Sequence, residues 1–337
     1  MPRPLHVSLV ATADTQLAPL AGLYETLTAF PMLAQLEPDI PAQPFCLDLM
    51  GEDAGPLRGA SGLPLGPLRA CDTVARTDIA IVPLMMVDGP DWTRGRTPRL
   101  VDWLRRMHGR GATLCSTCTG VLLLAETGLL DGGDATIHWA FAPTFRRCHP
   151  RVGLRLDDVL VTGGPRQDFV MTGGVASWHD LALHLVTRHV GAEAAAALGR
   201  LLMLEWHGAG QAPFRGFLPA RAHGDGVVLA LQDWAAKHYM VARPVAEMTA
   251  RTGLSPRAME RRFTRATGLS PLSYVQALRI EEAKRRLERS ARPVEEIAAE
   301  IGYENTAYFR RLFKRLTRMT PAAYRRRFTI GNLRAGA

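Results

Sequence analysis

No stretch of eighteen apolar residues occurs in this 337-residue chain, so no membrane-spanning helix is expected. The opening residues, Met1-Pro-Arg-Pro-Leu-His-Val-Ser-Leu-Val10, include a basic residue but no apolar core long enough for a secretory signal. Cysteine is scarce: five residues, an odd number, speak against a disulfide framework and for reduced thiols in a cytoplasm. Cys115-Ser-Thr-Cys118 has no companion pair, and Cys148 and His149 are adjacent, which is poor geometry for joint ligation. His179, His184 and His189 recur every five residues and share no helical face, so they read as structural or solvated. From these absences no metal site and no cofactor are expected. Gly51 to Gly66 is rich in Gly and Pro but lacks a phosphate-binding lysine, and it reads as a loop.

Charge is present, and it is unevenly placed. Of 41 Lys and Arg residues, 22 lie between Arg221 and Ile330 against 11 acidic residues; the remaining 19 face 21. All the excess positive charge therefore sits in the last third, as expected where a domain meets a polyanion.

Two styles of sequence divide the chain. Short apolar runs at Leu5–Ala11, Phe45–Met50, Ile79–Leu84, Ala112–Ser116, Val159–Val161 and Phe169–Thr172 read as strands. Helical patterns lie between and after them at Pro19–Leu36, Thr97–Arg110, Gly120–Thr127, Trp178–Gly191 and Glu193–Trp206. The alternation predicts an α/β domain with a mostly parallel sheet over residues 1–207. Breakers at Gly208, Gly210, Pro213, Gly216 and Pro219 predict a linker over 208–223. Residues 224–330 show no strand pattern and read as short helices.

This last third repeats itself at intervals of about fifty residues. Pro244-Val-Ala-Glu-Met-Thr-Ala-Arg-Thr-Gly253 aligns with Pro293-Val-Glu-Glu-Ile-Ala-Ala-Glu-Ile-Gly302: a helix opened by Pro and closed by Gly. Each Gly is followed by a second helix in which Met259 and Phe263, or Phe309 and Phe313, form an apolar i, i+4 pair. Ser270-Pro271 to Tyr274 then returns as Thr320-Pro321 to Tyr324. Helix, glycine turn and short basic helix is the helix-turn-helix plan, and two copies on the long helix Pro271–Arg289 predict an all-α double helix-turn-helix domain. Its two second helices are expected to enter major grooves roughly 34 Å apart on double-stranded DNA.

Leu254-Ser-Pro-Arg-Ala-Met-Glu-Arg-Arg-Phe263 and Ile297-Ala-Ala-Glu-Ile-Gly-Tyr-Glu-Asn-Thr-Ala-Tyr-Phe-Arg-Arg-Leu-Phe-Lys-Arg315 resemble the AraC/XylS family over about a hundred residues. The resemblance implies base-facing Arg257, Glu260 and Arg261 in the first copy. In the second it implies Asn305, Thr306, Arg310 and Arg311, with Lys314 on phosphate. Arg reads guanine bidentately and Glu accepts from cytosine, which suits those residue types. It also implies a promoter-bound regulator, in most cases an activator that recruits RNA polymerase. Arg285 and Arg286 on the long helix read as solvated charges.

Leu114-Cys-Ser-Thr-Cys118-Thr-Gly-Val-Leu-Leu-Leu-Ala-Glu-Thr-Gly-Leu-Leu-Asp131, with Ala135-Thr-Ile-His-Trp139 and Met171-Thr-Gly-Gly-Val-Ala-Ser-Trp-His-Asp180, resembles the ThiJ/PfpI (class I glutamine amidotransferase-like) domain. Joined to an AraC-type module, this is similar to the GlxA-type regulators, which implies a flavodoxin-like sandwich and a homodimer. The resemblance makes Cys118 the superfamily's nucleophile at a strand-to-helix turn, expected to be exposed and acidified by the helix start. The catalytic partners differ here. Thr119 stands where related proteases have His, and Pro19 stands where related hydratases have an acid. No enzymatic turnover is therefore expected. Cys118, Thr119, Gly120 and His138, with Glu25 reaching in, are candidates for a pocket binding a small effector, such as an amine or quaternary ammonium compound. A redox switch at Cys118 and a purely dimerising fold are the alternatives.

Overall fold

The computed structural model describes residues 3–87 and 91–329, so the limits of the expected domains at 1 and 330 lie outside it. The apolar runs of the first half become strands of one eight-stranded sheet. Along the chain come β1 (Leu5–Val10), α1 (Leu17–Thr28), α2 (Phe30–Leu36), β2 (Phe45–Gly51), β3 (Gly55–Arg58), β4 (Pro64–Ala70), β5 (Ile79–Val82), α3 (Pro98–Gly109) and β6 (Thr113–Thr117). There follow α4 (Gly120–Glu126), β7 (Asp134–Ala135), α5 (Ala142–Cys148), β8 (Gly153–Leu154), β9 (Leu160–Gly163), β10 (Phe169–Thr172), α6 (Trp178–His189) and α7 (Ala192–Leu202). The sheet order is β3-β4-β2-β1-β5-β6-β10-β9, parallel except at its two edges, while β7 and β8 pair separately.

Both faces of a parallel sheet must be covered, and successive residues supply both. In β5, Ile79 and Ile81 face a core built with Leu20, Leu23, Leu181 and Leu198 from α1, α6 and α7. Ala80 and Val82 face the opposite core, which holds Trp103, Leu122 and Phe145 from α3, α4 and α5. Fully burying each large apolar side chain contributes roughly 1.5–3 kcal/mol.

Three expectations need correction. The single helix over 19–36 is two, broken at Ala29 because Pro31 opens the first turn of the second. The Gly/Pro-rich stretch 51–66 is not plain loop: it carries β3 and leads into β4, a hairpin on the sheet edge. Its sequence hides this because edge strands bury little and so show no apolar run. The helix over 193–206 stops at Leu202, where Met203 turns left-handed at φ 51°.

The second unit begins at Ala212. It contains α8 (Gly226–His238), α9 (Pro244–Ala250), α10 (Pro256–Thr267), α11 (Pro271–Arg289), α12 (Val294–Glu300), α13 (Thr306–Thr317) and α14 (Pro321–Phe328). The breaker-rich stretch 208–223 divides between the units. Gln211 is buried in the first, whereas Phe217 packs edge-on against Tyr274 in the second, centroids 5.0 Å apart. Helix α11 serves two cores: Tyr274 and Val275 meet Met248, Met259 and Phe263, while Ile280, Ala283 and Leu287 meet Ile297, Phe309 and Phe313. The repeat survives in ring geometry. Phe263 meets Tyr274 at 5.2 Å and 85°, and Phe313 meets Tyr324, fifty residues on, at 5.4 Å and 84°.

Candidate DNA-reading surface and cysteine elbow

Four helices of the second unit begin, as α8 does with Asp225, with the same device. Ser255, Ser270, Asn305 and Thr320 each accept a backbone N–H from the first turn of α10, α11, α13 and α14, relieving donors that a helix start leaves unpaired. The turn before α10 is made by Gly253 at φ 64°. The turn before α13 needs glycine twice over: Gly302 has φ 90°, and a Cβ there would lie 2.5 Å from the Met240 carbonyl.

With their apolar faces buried, α10 and α13 turn the predicted readers outward. Arg257, Glu260 and Arg261 on α10, and Arg311 and Lys314 on α13, are exposed; Thr306 is half-buried. Among the described residues, none of these six has a side-chain ion pair or hydrogen bond. Their neighbours differ. Arg310 pairs with Glu295 of α12, and the Asn305 side-chain oxygen accepts the Tyr308 N–H at 2.8 Å as the helix cap. Arg262 makes a bidentate contact of 2.8 and 3.0 Å with Asp225, the cap of α8. Arg286 is not merely solvated: it bonds Glu282 at 2.7 Å and also pairs with Glu300 of α12.

Arg279 escaped the sequence reading. It is 8% exposed, and its guanidinium donates to the carbonyls of Tyr239 (2.7 Å), Gly302 (2.9 Å) and Val241 (2.9 Å), beside the Tyr303 ring. The segment after α8 is thereby tied to the second glycine turn. The available signal was an arginine on the apolar stripe Val275, Ile280, Ala283, Leu287 of α11.

The Asp225–Arg262 pair makes a pH prediction. Hydrogen bonds from Arg262, then from the Val228 N–H, hold the Asp225 carboxyl down at about 2. A folded value below the ordinary carboxylate range means that its stabilisation is complete above about pH 4 and is lost as pH falls toward 2. In Asp225→Asn, acid unfolding of the helical unit, followed by circular dichroism, should lose this part of its pH dependence. An unchanged acid limb would show that the pair contributes nothing.

In the first unit, Cys118 directly follows β6, held at φ 53° with its N–H donated to the Thr172 carbonyl at 2.7 Å. The sharp elbow needs Gly120: a Cβ there would lie 2.3 Å from the Val82 carbonyl. Thr119 spends its hydroxyl on the Met85 backbone, accepting the N–H at 3.2 Å and donating to the carbonyl. Cys118, Thr119, Gly120 and His138 do come together. Glu25 does not: it is exposed on α1.

The expectation of an exposed, acidified thiol is corrected. Cys118 is wholly buried, and burial pushes its thiol up to about 12 despite nearby backbone amides of Thr119, Gly174 and His138. Brief treatment of native protein with iodoacetamide, read by mass spectrometry, should label exposed Cys46 and spare Cys71, Cys115 and Cys118. Rapid labelling of Cys118 would contradict this burial. Gln211, hidden from sequence reading among loop-like residues, is buried beside the elbow. Its amide donates to Thr136 Oγ1 and the Ile137 carbonyl, each at 3.1 Å. The expectation of merely structural histidines is also incomplete, because the fold brings His179 and His207 together at Asp180.

A doubly wound sandwich with a closed cysteine elbow, followed by two capped helix-turn-helix motifs with basic outer faces, defines a two-domain DNA-binding regulator. The family model described as a helix-turn-helix domain matches residues 248–327. The HTH-type transcriptional regulator CdhR of Pseudomonas aeruginosa is 27% identical over 272 residues, 79% of this chain and 77% of that protein. The HTH-type transcriptional regulator GlxA of Rhizobium meliloti is 29% identical over 226 residues, 66% and 68% of the two chains. Isonitrile hydratase of Pseudomonas putida is 27% identical over 213 residues, 62% and 81%. A solved ThiJ/PfpI family protein of Pseudomonas syringae has the same fold, with TM-score 0.50 and 14% identity over 78% of this chain and 91% of that one. The chain is thus a homologue of the GlxA-type regulators, an AraC-type helix-turn-helix domain following a ThiJ/PfpI-like domain, and it is a DNA-binding transcription regulator. Among the described residues, no helix is long and apolar enough to cross a membrane.

Proposed function

We propose that Arg257, Glu260 and Arg261 of α10, with Asn305, Thr306 and Arg311 of α13, read promoter DNA, and that Lys314 contacts phosphate. The observation that supports this most is a pair of capped helices on one rod, with Arg257, Arg261, Arg311 and Lys314 exposed and, among the described residues, in no ion pair. Arg310, tied to Glu295, acts by holding α13 against α12. In a duplex-binding titration, the logarithm of affinity should fall with the logarithm of salt concentration with a slope of about −4 or steeper, as several phosphates are neutralised. A slope near zero would contradict the reading.

We further propose that the first unit binds a small effector and does not turn it over. A buried protonated thiol, a threonine committed to backbone and Pro19 in place of an acid leave Cys118 without catalytic partners. His138 is half-buried beside the elbow, stacked on Trp139 at 5.1 Å and against Phe141 at 5.9 Å. An aromatic cluster of this kind suits an amine or quaternary ammonium group through cation–π attraction. Cys118, Thr119 and Gly120 lie buried beneath this pocket and support it, and Glu25 is left out of it. In this reading the protein is a cytoplasmic homodimer assembled through the first unit, and it activates by recruiting RNA polymerase.

A further inference from the structure

Away from both sites, the first turn of α6 carries a carboxylate that solvent does not reach. Asp180 is fully buried. Its Oδ1 accepts the His207 N–H at 2.8 Å, and its Oδ2 lies 2.7 Å from His207 Nδ1 and 3.7 Å from His179 Nε2. The two imidazoles stack, with centroids 4.9 Å apart and planes at 23°.

An Asp–His hydrogen bond alone does not account for this arrangement. One buried carboxylate is satisfied by one imidazole, yet a second is packed against it. The Nε2 of that second ring, His179, is buried and has no hydrogen-bond partner among the described residues. A buried nitrogen left bare is unfavourable unless something binds it.

We propose that His179 Nε2, Asp180 and His207 form a binding site for a divalent transition-metal ion of the zinc, cobalt(II) or nickel class. One atom from each residue lies within 4.8 Å of the others. Ligand atoms around a tetrahedral ion with bonds of about 2.0–2.1 Å stand roughly 3.3 Å apart. The two distances to Asp180, 2.7 and 3.7 Å, need shifts of about half an ångström, and the two histidine nitrogens, within 4.8 Å of each other, close by up to about 1.5 Å when the rings turn toward the ion. Two imidazoles and a carboxylate favour these ions over calcium or magnesium, which take all-oxygen shells. Three protein ligands leave a fourth position for water. The ion joins the start of α6 to the chain that follows α7, four residues before the first unit ends at Gln211. This assignment is independent of the DNA-reading and effector proposals.

The test is titration of chelator-treated full-length protein with cobalt(II), read by visible d–d absorption, and with zinc, read by calorimetry. One ion per chain should bind at micromolar or tighter affinity. His179→Gln and His207→Gln should each weaken binding more than tenfold, whereas His184→Gln, on the same helix outside the cluster, should not. X-ray absorption of the cobalt-loaded wild-type protein provides a check that needs no variant, and imidazole ligands at about 2.0–2.1 Å are expected. The proposal is overturned by absence of saturable binding to the wild type, by affinity unchanged in both cluster variants, or by a metal shell without imidazole.

Discussion

Replacing Arg279 with alanine should destabilise the helical unit by about 2–4 kcal/mol, because it strips the donor from buried backbone carbonyls and an unsatisfied buried group costs about 1–3 kcal/mol. Its guanidinium serves three backbone carbonyls that come from two places, Tyr239 and Val241 after α8 and Gly302 in the second turn. Each is a charge-assisted hydrogen bond of the stronger kind. Truncation leaves the carbonyls buried and opens a void beside Tyr303. Arg279→Lys should recover only part of the loss, because a compact ammonium cannot span three acceptors that a planar fork reaches together. Denaturant unfolding followed by circular dichroism measures both variants. A loss below about 1 kcal/mol in Arg279→Ala would mean that water substitutes for the guanidinium at little cost. DNA binding should fall with stability, since α13 is aimed by the turn that Arg279 holds.

Arg261→Ala and Arg311→Ala should act differently, weakening DNA binding while leaving unfolding unchanged. Both side chains are exposed and lack protein partners among the described residues, so their removal strands nothing in the fold. If each reads a base edge, its loss costs about 1–3 kcal/mol, roughly five- to hundredfold in affinity for the preferred sequence, and relaxes preference at one base pair. Lys314→Ala, as a phosphate contact, should weaken all sequences alike and make the salt slope shallower by about one. Competitive binding assays on matched and mismatched duplexes separate these patterns. Uniform loss in Arg261→Ala would reassign that residue to the phosphate backbone.

The double motif was legible because its signals are local and occur twice. Caps, first-turn prolines and the Met259–Phe263 and Phe309–Phe313 pairs each lie within one or two helical turns, and the fifty-residue offset repeats them. The alternation of apolar runs and helices likewise revealed the sandwich, because a parallel sheet covered on both faces leaves unbroken apolar runs. What stayed hidden depends on tertiary partners. Arg279 counts as one more surface charge until three carbonyls are seen to enclose it. Asp180 and His207 are 27 residues apart, and only the turn at Met203 brings them together. The thiol of Cys118 was read as exposed because elbow cysteines usually are; here the backbone at Gly174, after β10, and at His138 lies against it, and it is wholly buried.

The central claim is that two helices of one chain, α10 and α13, each read a block of DNA sequence. Selection of bound duplexes from a random pool, by wild type and by the two arginine variants, tests it most directly. Wild-type protein should enrich two short sequence blocks about one helical turn apart. Arg261→Ala should blur one block and Arg311→Ala the other, each leaving its counterpart intact. Enrichment of no sequence, or two blocks unchanged in both variants, would contradict the account.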